Sequence, residues 1–281
     1  MKIFAKKNYS NIREPLNLNK LAEGMSESEW RDMYIEHAKG ERNDILPFPS
    51  DDIQVITNNH KGEATGRGAL AILDCVLSCV RETTTITKSM KILDYGCGWG
   101  RVTRLLPYYF NAESITGVDV NKRLIDDANK LVPEIEHVKI KSMTRLPFKD
   151  GSYDIIFANS VFSHLSKKAC LFTLEELSRL LSKDGVLIVS ILELAEMNKF
   201  YGNETQRKWI SKILGEESYA KEQLDREGFI WGDTKRWHEY GITIMTDDWI
   251  AKTLQNLDMN YRSTKRTVKK GSQNYKVAIK V

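Results

Sequence analysis

Between residues 90 and 191 the chain repeats one unit: a short apolar run, a turn, then a segment with helical spacing. Strands read near 90–95, 114–119, 137–141, 153–159 and 185–191, and helices near 99–110, 122–131 and 167–182. The junctions carry Asn111, Pro133, Asp150-Gly151 and Asp184-Gly185, residue types that favour turns. Such alternation predicts an α/β fold with a doubly wound, mostly parallel sheet, because parallel strands need crossovers and helices supply them. Sheets of this kind bind ligands at the carboxyl ends of their strands.

The flanks read differently. Ser26 and Glu29 form a capping box, Trp30, Met33, Tyr34 and His37 follow at helical spacing, and Gly40 closes that helix. Pro47 and Pro49 lie in a stretch without clear periodicity, and apolar positions return at helical spacing from Ala64 to Val80. After residue 192 the alternation stops, and a long, aromatic-containing segment reads as helical to about 257. Two late strands, 261–268 and 275–281, flank a Lys-Gly-Ser-Gln turn and read as a closing antiparallel hairpin. The expected organisation is an N-terminal helical cap (1–85), a ligand-binding core (86–192), a helical insertion (193–257) and the closing hairpin (258–281).

Composition excludes several classes. With 281 residues, 41% hydrophobic and 28% charged, the chain is an ordinary globular protein. No run approaches the ~18 apolar residues of a membrane span, and the basic start Met1 to Lys7 has no apolar region behind it, so no secretory signal is read. Cys75, Cys79, Cys97 and Cys170 fit neither a zinc nor a disulfide pattern; free thiols, no metal and a cytoplasmic location are the expectation. The net charge of +4 is too small to argue for nucleic acid. From Arg262 onward there are seven lysines and arginines and no acid, which reads more simply as protection of a sheet edge than as an RNA-binding face.

The chemistry concentrates in Lys91-Ile-Leu-Asp94-Tyr-Gly96-Cys97-Gly98-Trp-Gly100. Strand, glycine turn and helix bring a ligand against backbone N–H groups, and glycine there permits positive φ or a close approach. A phosphate loop would need Gly-Lys-Ser/Thr, where the sequence has Gly100-Arg101-Val102. A dinucleotide site prefers Gly-x-Gly-x-x-Gly; here the spacing is Gly-x-Gly-x-Gly, with Asp94 two residues before it. An acid at that point suits a ligand with an α-amino acid end better than a pyrophosphate. A second signal is Ile115-Thr-Gly-Val-Asp119, a strand ending in an acid nineteen residues after Gly100. A carboxylate there can accept both hydroxyls of a ribose.

These motifs, with Leu146-Pro-Phe148, Ser152-Tyr-Asp-Ile-Ile-Phe157 and Leu180-Leu-Ser-Lys-Asp-Gly-Val-Leu-Ile188, resemble the class I S-adenosylmethionine-dependent methyltransferases, in order and spacing, across roughly residues 88–192. The resemblance implies a Rossmann-like methyltransferase fold with a seven-stranded sheet and S-adenosylmethionine as cofactor. It implies that Asp94, Gly96, Cys97, Gly98 and Gly100 hold the methionine end, and that Asp119 and Val120 lie at the ribose. It implies that Ser142 and Met143 frame the adenine, and that Asn159, Ser160 and Val161 lie under the cofactor. Many relatives carry Asp where Ser142 stands, which weakens the expected adenine contact. Arg67, between Gly66 and Gly68, is a candidate for the cofactor carboxylate.

Methyl transfer is an in-line displacement governed by alignment, and it needs a base only where the acceptor must lose a proton. His164, after the fourth strand, and His238 and Tyr240, in the late insertion, are the candidates for the acceptor side; Phe229, Trp231 and Trp237 form either an acceptor wall or the insertion's own core. The fourth strand ends Ala158-Asn159-Ser160-Val161, unlike the Asn/Asp-Pro-Pro-Tyr/Phe of amino-methylating enzymes, and it carries no Pro-Cys nucleophile. The form Asp-Tyr-Gly-Cys-Gly-Trp-Gly-Arg with Ser-Val-Phe-Ser-His-Leu looks like a bacterial subgroup associated with glycan or secondary-metabolite biosynthesis. The expectation is therefore an enzyme methylating a small molecule at a hydroxyl of a sugar or secondary metabolite, without membrane or nucleic-acid partner. The rivals are an RNA- or protein-directed methyltransferase and a non-catalytic cofactor-binding protein.

Overall fold

The structure, a computed structural model, describes residues 16–237, 240–262, 264 and 273–281, with the backbone alone for 236 and 237. In chain order its strands are β1 (Ile92–Tyr95), β2 (Ile115–Asp119), β3 (Glu136–Lys139), β4 (Tyr153–Ala158), β5 (Leu181–Ile191), β6 (Phe229–Trp237), β7 (Tyr240–Met245), β8 (Met259–Arg262) and β9 (Asn274–Lys280). All but β6 and β7 join one seven-stranded sheet in the order β3-β2-β1-β4-β5-β9-β8. The first five strands of that sheet are parallel, and β9 runs antiparallel between β5 and β8. Strand order reverses between β1 and β4, so the crevice above their carboxyl ends is the place for a ligand.

Inward residues alternate along the strands as the two-residue period requires. Ile92, Ile155, Val186 and Ile188 face one side, under the N-terminal helices α1 (Leu18–Glu23), α2 (Glu27–Lys39), α3 (Asp51–Asn58) and α4 (Glu63–Arg81). Leu93, Ile156, Leu187 and Val189 face the other. That second face is covered by α6 (Lys167–Leu180) and α10 (Asp247–Gln255); α5 (Lys122–Leu131) crosses between β2 and β3. The capping box of Ser26 and Glu29 and the left-handed Gly40 bound α2 as the sequence predicts. Trp30 on α2 is fully buried and donates its indole N–H to the Leu105 carbonyl at 3.1 Å. The N-terminal helices thus share the apolar core of the sheet.

Three expectations are corrected. The helix expected over 99–110 is a short 3₁₀ segment, Thr103–Tyr108, with Pro107 inside it. Proline lacks the N–H that an α-helix would use and its ring clashes with the preceding turn, while the glycines before it hold a turn instead.

The segment 193–257 is not wholly helical. Its helices α7 (Leu194–Gly202), α8 (Glu204–Leu214) and α9 (Glu217–Glu227) are followed by the antiparallel ribbon β6–β7. Phe229-Ile-Trp231 and Ile242-Thr-Ile244 supply the aromatic and β-branched residues that favour strands, and Ile230, Ile242 and Ile244 pack on Met197, Tyr201 and Leu224 in a core of the insertion's own.

Nor do the C-terminal lysines all guard an edge. Lys276 is 4% exposed and lies between Glu193 (3.2 Å) and Asp247 (2.5 Å), and Lys280 donates to Ser178 Oγ at 2.8 Å. Of the late strands, β8 begins at Met259, two residues before the expected start, and β9 matches the expected strand to within one residue; residues 263 and 265–272 lie outside the described part. No described helix is long and apolar enough to cross a membrane.

Candidate active site

The carboxyl ends of β2, β1 and β4 deliver Asp119, Asp94 and Asn159 in strand order to one cavity of about 630 Å³. This size lies within the ~300–1,000 Å³ of small-molecule sites. Between β1 and the 3₁₀ segment the glycine turn is laced to β2. Gly96 and Cys97 N–H both donate to the Val118 carbonyl, at 2.8 and 3.0 Å. Gly98 N–H donates to Asp119 Oδ2 at 2.9 Å, and Asn121 N–H to Oδ1 at 2.7 Å. Each carboxylate oxygen accepts more than one hydrogen bond, so Asp119 retains acceptor capacity for a diol. Gly96 is obligatory: its φ is +81°, and a Cβ there would stand 2.4 Å from Val161 Cγ2. That close approach seats the turn on the end of β4.

The electrostatics of this cavity are unusual. Asp94 is 3% exposed, and among the described residues its carboxylate accepts only the Thr103 hydroxyl, at 2.6 Å. Burial pushes its carboxyl up to about 7; the Thr103 hydrogen bond opposes this and the nearby Asp119 charge adds to it. Burial also raises Asp119, against the backbone N–H groups of Asn121 and Gly98. Two carboxylates whose charges are poorly solvated favour a ligand that brings cationic and hydroxyl groups. The Cys97 thiol lines the same wall, and burial holds it well above the usual thiol range, hence protonated and inert.

Of the residues expected for the cofactor, Asp94, Gly96, Cys97, Gly98, Asp119, Val120, Ser142, Asn159, Ser160 and Val161 line the cavity. Three do not. Gly100 turns away from it: its missing Cβ points at His137 Nε2, 3.0 Å off. Met143 is not on the wall, although Ser142 beside it is. Arg67 is exposed on α4 and pairs one turn back with Glu63, which excludes it from the cavity as the structure stands. At the end of β4, Asn159 Oδ1 accepts the Tyr275 hydroxyl at 2.6 Å. Ser160 has a left-handed backbone (φ 59°); its N–H donates to Ser190 Oγ at 2.8 Å and its Oγ accepts from Gln273.

The acceptor candidates divide. His164 and Tyr240 both line the cavity, with rings stacked 4.4 Å apart at 14°. His164 Nδ1 lies 2.8 Å from the Gly241 carbonyl, a partner that only an N–H can use, so Nε2 carries the lone pair. Burial lowers its pKa, which keeps the ring neutral at neutral pH. The β6–β7 ribbon holds this wall: Gly241 N–H and Trp231 Nε1 both donate to the His164 carbonyl, at 2.7 and 3.2 Å, and Thr243 N–H donates to the Ser163 carbonyl. Trp231 therefore braces the wall, while Phe229 packs on Trp249 in the core. His238 lies outside the described residues.

The sequence reading missed Thr103, Arg101 and the contribution of α3. Ile56 and Thr57 of α3 line the cavity, with Trp99 Nε1 donating to Thr57 Oγ1 at 3.0 Å. Arg101 is signalled only by standing directly after the glycine turn.

A parallel sheet whose order reverses beside a glycine turn, with Asp94 and Asp119 at the carboxyl ends of β1 and β2, is the class I S-adenosylmethionine-dependent methyltransferase fold. Residues 93–189 match the family model described as a methyltransferase domain; the chain carries such a domain, and S-adenosylmethionine is its cofactor. Among curated relatives, a malonyl-[acyl-carrier protein] O-methyltransferase of Bacillus cereus is 30% identical over 156 residues, 53% of this chain and 56% of the relative. A trans-aconitate 2-methyltransferase of Rhizobium rhizogenes is 27% identical over 144 residues, 50% of this chain and 52% of the relative. The chain thus spans about half the length of these relatives. The solved magnesium protoporphyrin IX methyltransferase of Synechocystis, with bound S-adenosylhomocysteine, shares the fold at a TM-score of 0.54 and 14% identity, covering 91% of this chain and 99% of that one.

The cavity's own chemistry fits this cofactor. Asp119 offers acceptors to ribose hydroxyls, and the poorly compensated Asp94 carboxyl suits an ammonium or sulfonium. Val120, 53% exposed, and Ile56, 63% exposed, present apolar surface at the mouth for a purine ring.

Proposed function

We propose that the chain is an S-adenosylmethionine-dependent methyltransferase acting on a small molecule, at an oxygen, with a hydroxyl of a sugar or secondary metabolite as acceptor. The observation that carries this reading is that one cavity joins Asp119 and Asp94 to the His164–Tyr240 wall. These groups stand above β2, β1 and the end of β4, and strands ~4.8 Å apart place the first and last about 10 Å from one another. The relatives named for an O-methyl transfer and for trans-aconitate support a small-molecule acceptor. Four cysteines outside any disulfide fit a reducing, cytoplasmic compartment.

When bound, S-adenosylmethionine supplies a methyl group activated on a sulfonium. The protein's part is alignment and proton handling. Asp119 and the glycine turn fix the ribose end. Asp94 faces the methionine end. His164 Nε2, bare because Nδ1–H is committed to Gly241, takes the proton of an acceptor hydroxyl, and Tyr240 holds the ring in plane by stacking.

The test is turnover of labelled S-adenosylmethionine with a panel of sugar nucleotides and hydroxylated metabolites. A labelled methyl ether is expected, and His164→Gln should slow its formation about 10²-fold or more, the scale of general base catalysis, with S-adenosylhomocysteine affinity unchanged. The acid limb of kcat/KM should fall below pH 6.5, since burial lowers the His164 pKa. A His164→Gln enzyme with wild-type turnover across the pH range removes His164 as the base. A product methylated at nitrogen or carbon refutes the oxygen acceptor.

A further inference from the structure

Arg101 lines the cavity and has no part in the roles assigned above. It follows the glycine turn directly and sits against the methionine side of the cavity, with Asp94, Tyr34 and Tyr275 as its ionisable neighbours. Tyr34 donates its hydroxyl to the Arg101 carbonyl at 2.7 Å and Tyr275 donates to Asn159, so backbone and surroundings are fixed. Burial raises both phenols and keeps them neutral. The guanidinium itself makes no hydrogen bond or ion pair with a described residue.

Two other arginines withdrawn from solvent in this chain are compensated. Arg104, fully buried, donates to the Gly100 and Trp99 carbonyls at 3.0 Å each and to Pro47, and its cation lies 4.6 Å from the centre of the Trp99 ring. Arg179 is bound to Glu176 and Asp150. Arg101 is half-buried; partly desolvating a guanidinium without a partner is unfavourable, and this burial lowers its pKa from the usual arginine value. A planar guanidinium with its donors free, lining a ligand cavity, is the fork that a carboxylate fits in two parallel hydrogen bonds. Helix α4 leaves room beside it: at Gly68 even a Cβ would stand 3.7 Å from the Arg101 Nη1.

We propose that Arg101 is the seat of the cofactor's α-carboxylate, with Asp94 facing its ammonium, so that the two side chains together read the amino-acid end of the methyl donor. The assignment rests on the cofactor reading above and replaces Arg67, which is committed to Glu63 at the surface. It also gives the cavity a means of preferring the intact cofactor over adenosine thioethers that lack the amino-acid end.

The experiment compares two probes by calorimetry on the full chain: S-adenosylhomocysteine, which has the carboxylate, and 5′-methylthioadenosine, which has the same adenosine and sulfur without it. Wild-type protein should bind S-adenosylhomocysteine the more tightly. Arg101→Met should lose about thirtyfold or more in S-adenosylhomocysteine affinity, the scale of a hydrogen bond to a charged group, and change less than about twofold for 5′-methylthioadenosine. Arg101→Lys, which keeps the charge, should recover part of the loss. If Arg101→Met does not fold, Arg101→Gln carries the same comparison. Equal losses for both probes would show that Arg101 only supports the pocket wall, and unchanged S-adenosylhomocysteine affinity would leave the guanidinium to the acceptor; either overturns the proposal. Wild-type protein that binds neither probe overturns the cofactor reading itself, a separate result.

Discussion

Replacing Asp94 by asparagine should make the ligand-free protein more stable at pH 8 and its cofactor binding weaker. Asparagine keeps an oxygen for the Thr103 hydroxyl, which lies 2.6 Å from Asp94 Oδ2, and removes only the charge. The folded carboxyl holds its proton to about pH 7, against 3.8 ordinarily, so the native state binds more protons than the unfolded chain between those values. Stability therefore falls as pH rises through that window, and the full cost is present above pH 7. At about 1.4 kcal/mol per pH unit, the cost reaches a ceiling of about 4 kcal/mol. At pH 5 it shrinks to about 1–2 kcal/mol by the same arithmetic. Melting temperatures at pH 5, 6.5 and 8 read this directly, each kcal/mol being worth about 2–4 °C in a chain of this size. The gain of Asp94→Asn should be several degrees at pH 8 and decline towards pH 5. S-adenosylhomocysteine affinity should fall by about 1.5–3 kcal/mol, the value of a charged hydrogen bond. Wild-type binding at pH 6.5 should also release protons, seen as a buffer dependence of the binding heat, because a cationic ligand lowers the Asp94 pKa. A variant that is less stable at pH 8, or equally stabilised at every pH, would refute the buried-carboxylate argument.

Two further substitutions test the frame around this residue. Asp119→Ala should weaken S-adenosylhomocysteine and 5′-methylthioadenosine alike, by about 3–6 kcal/mol if both ribose hydroxyls are lost, in contrast to Arg101→Met; calorimetry showing unchanged affinity in a folded variant removes Asp119 from the site. Gly96→Ala forces a Cβ to 2.4 Å from Val161 Cγ2 at a φ of +81° and should cost about 2–5 kcal/mol in overpacking and backbone strain. Chemical denaturation measures that loss, and Val161→Ala in the same chain should recover the packing share but not the strain; a stable Gly96→Ala protein with normal affinity would show that the turn does not need glycine.

What the sequence displays is the part of the molecule governed by local periodicity and turn chemistry. Five parallel strands, their order of appearance, Asp94, Asp119 and the glycine turn are all readable, because each sits where an apolar run ends. The 3₁₀ segment after the turn is not: Leu105 and Leu106 keep helical spacing, and Pro107 decides against it. The β6–β7 ribbon escaped because three helices precede it and its two strands meet through residues with no Asn-Gly or Asp-Gly signal. Arg67 and Arg101 show the limit most plainly. Both are arginines beside glycines, and only the packing of α4 shows that one reaches solvent and Glu63 while the other is confined with Asp94 in the cavity. The reach of α3 into the mouth, through Ile56 and Thr57, is likewise a tertiary fact with no local pattern.

The two halves of the cavity are built by different means, and this has a consequence for how the site divides its work. Asp94, Asp119 and the glycine turn are fixed by strands in the middle of the parallel sheet, where the register sets Asp94 level with Gly117 and Phe157. The His164–Tyr240 wall is fixed instead by the insertion, whose β7 strand bonds to the residues after β4 through Gly241 and Thr243 and packs in a core of its own. Substitutions in β6 and β7 therefore act on the His164–Tyr240 wall with little purchase on Asp94 and Asp119. Thr243, fully buried, donates its hydroxyl to the Leu165 carbonyl at 2.6 Å, so it acts on the His164–Tyr240 wall through the segment that carries His164. On the proposed function, the sheet keeps one methyl donor while the ribbon changes the acceptor presented to it.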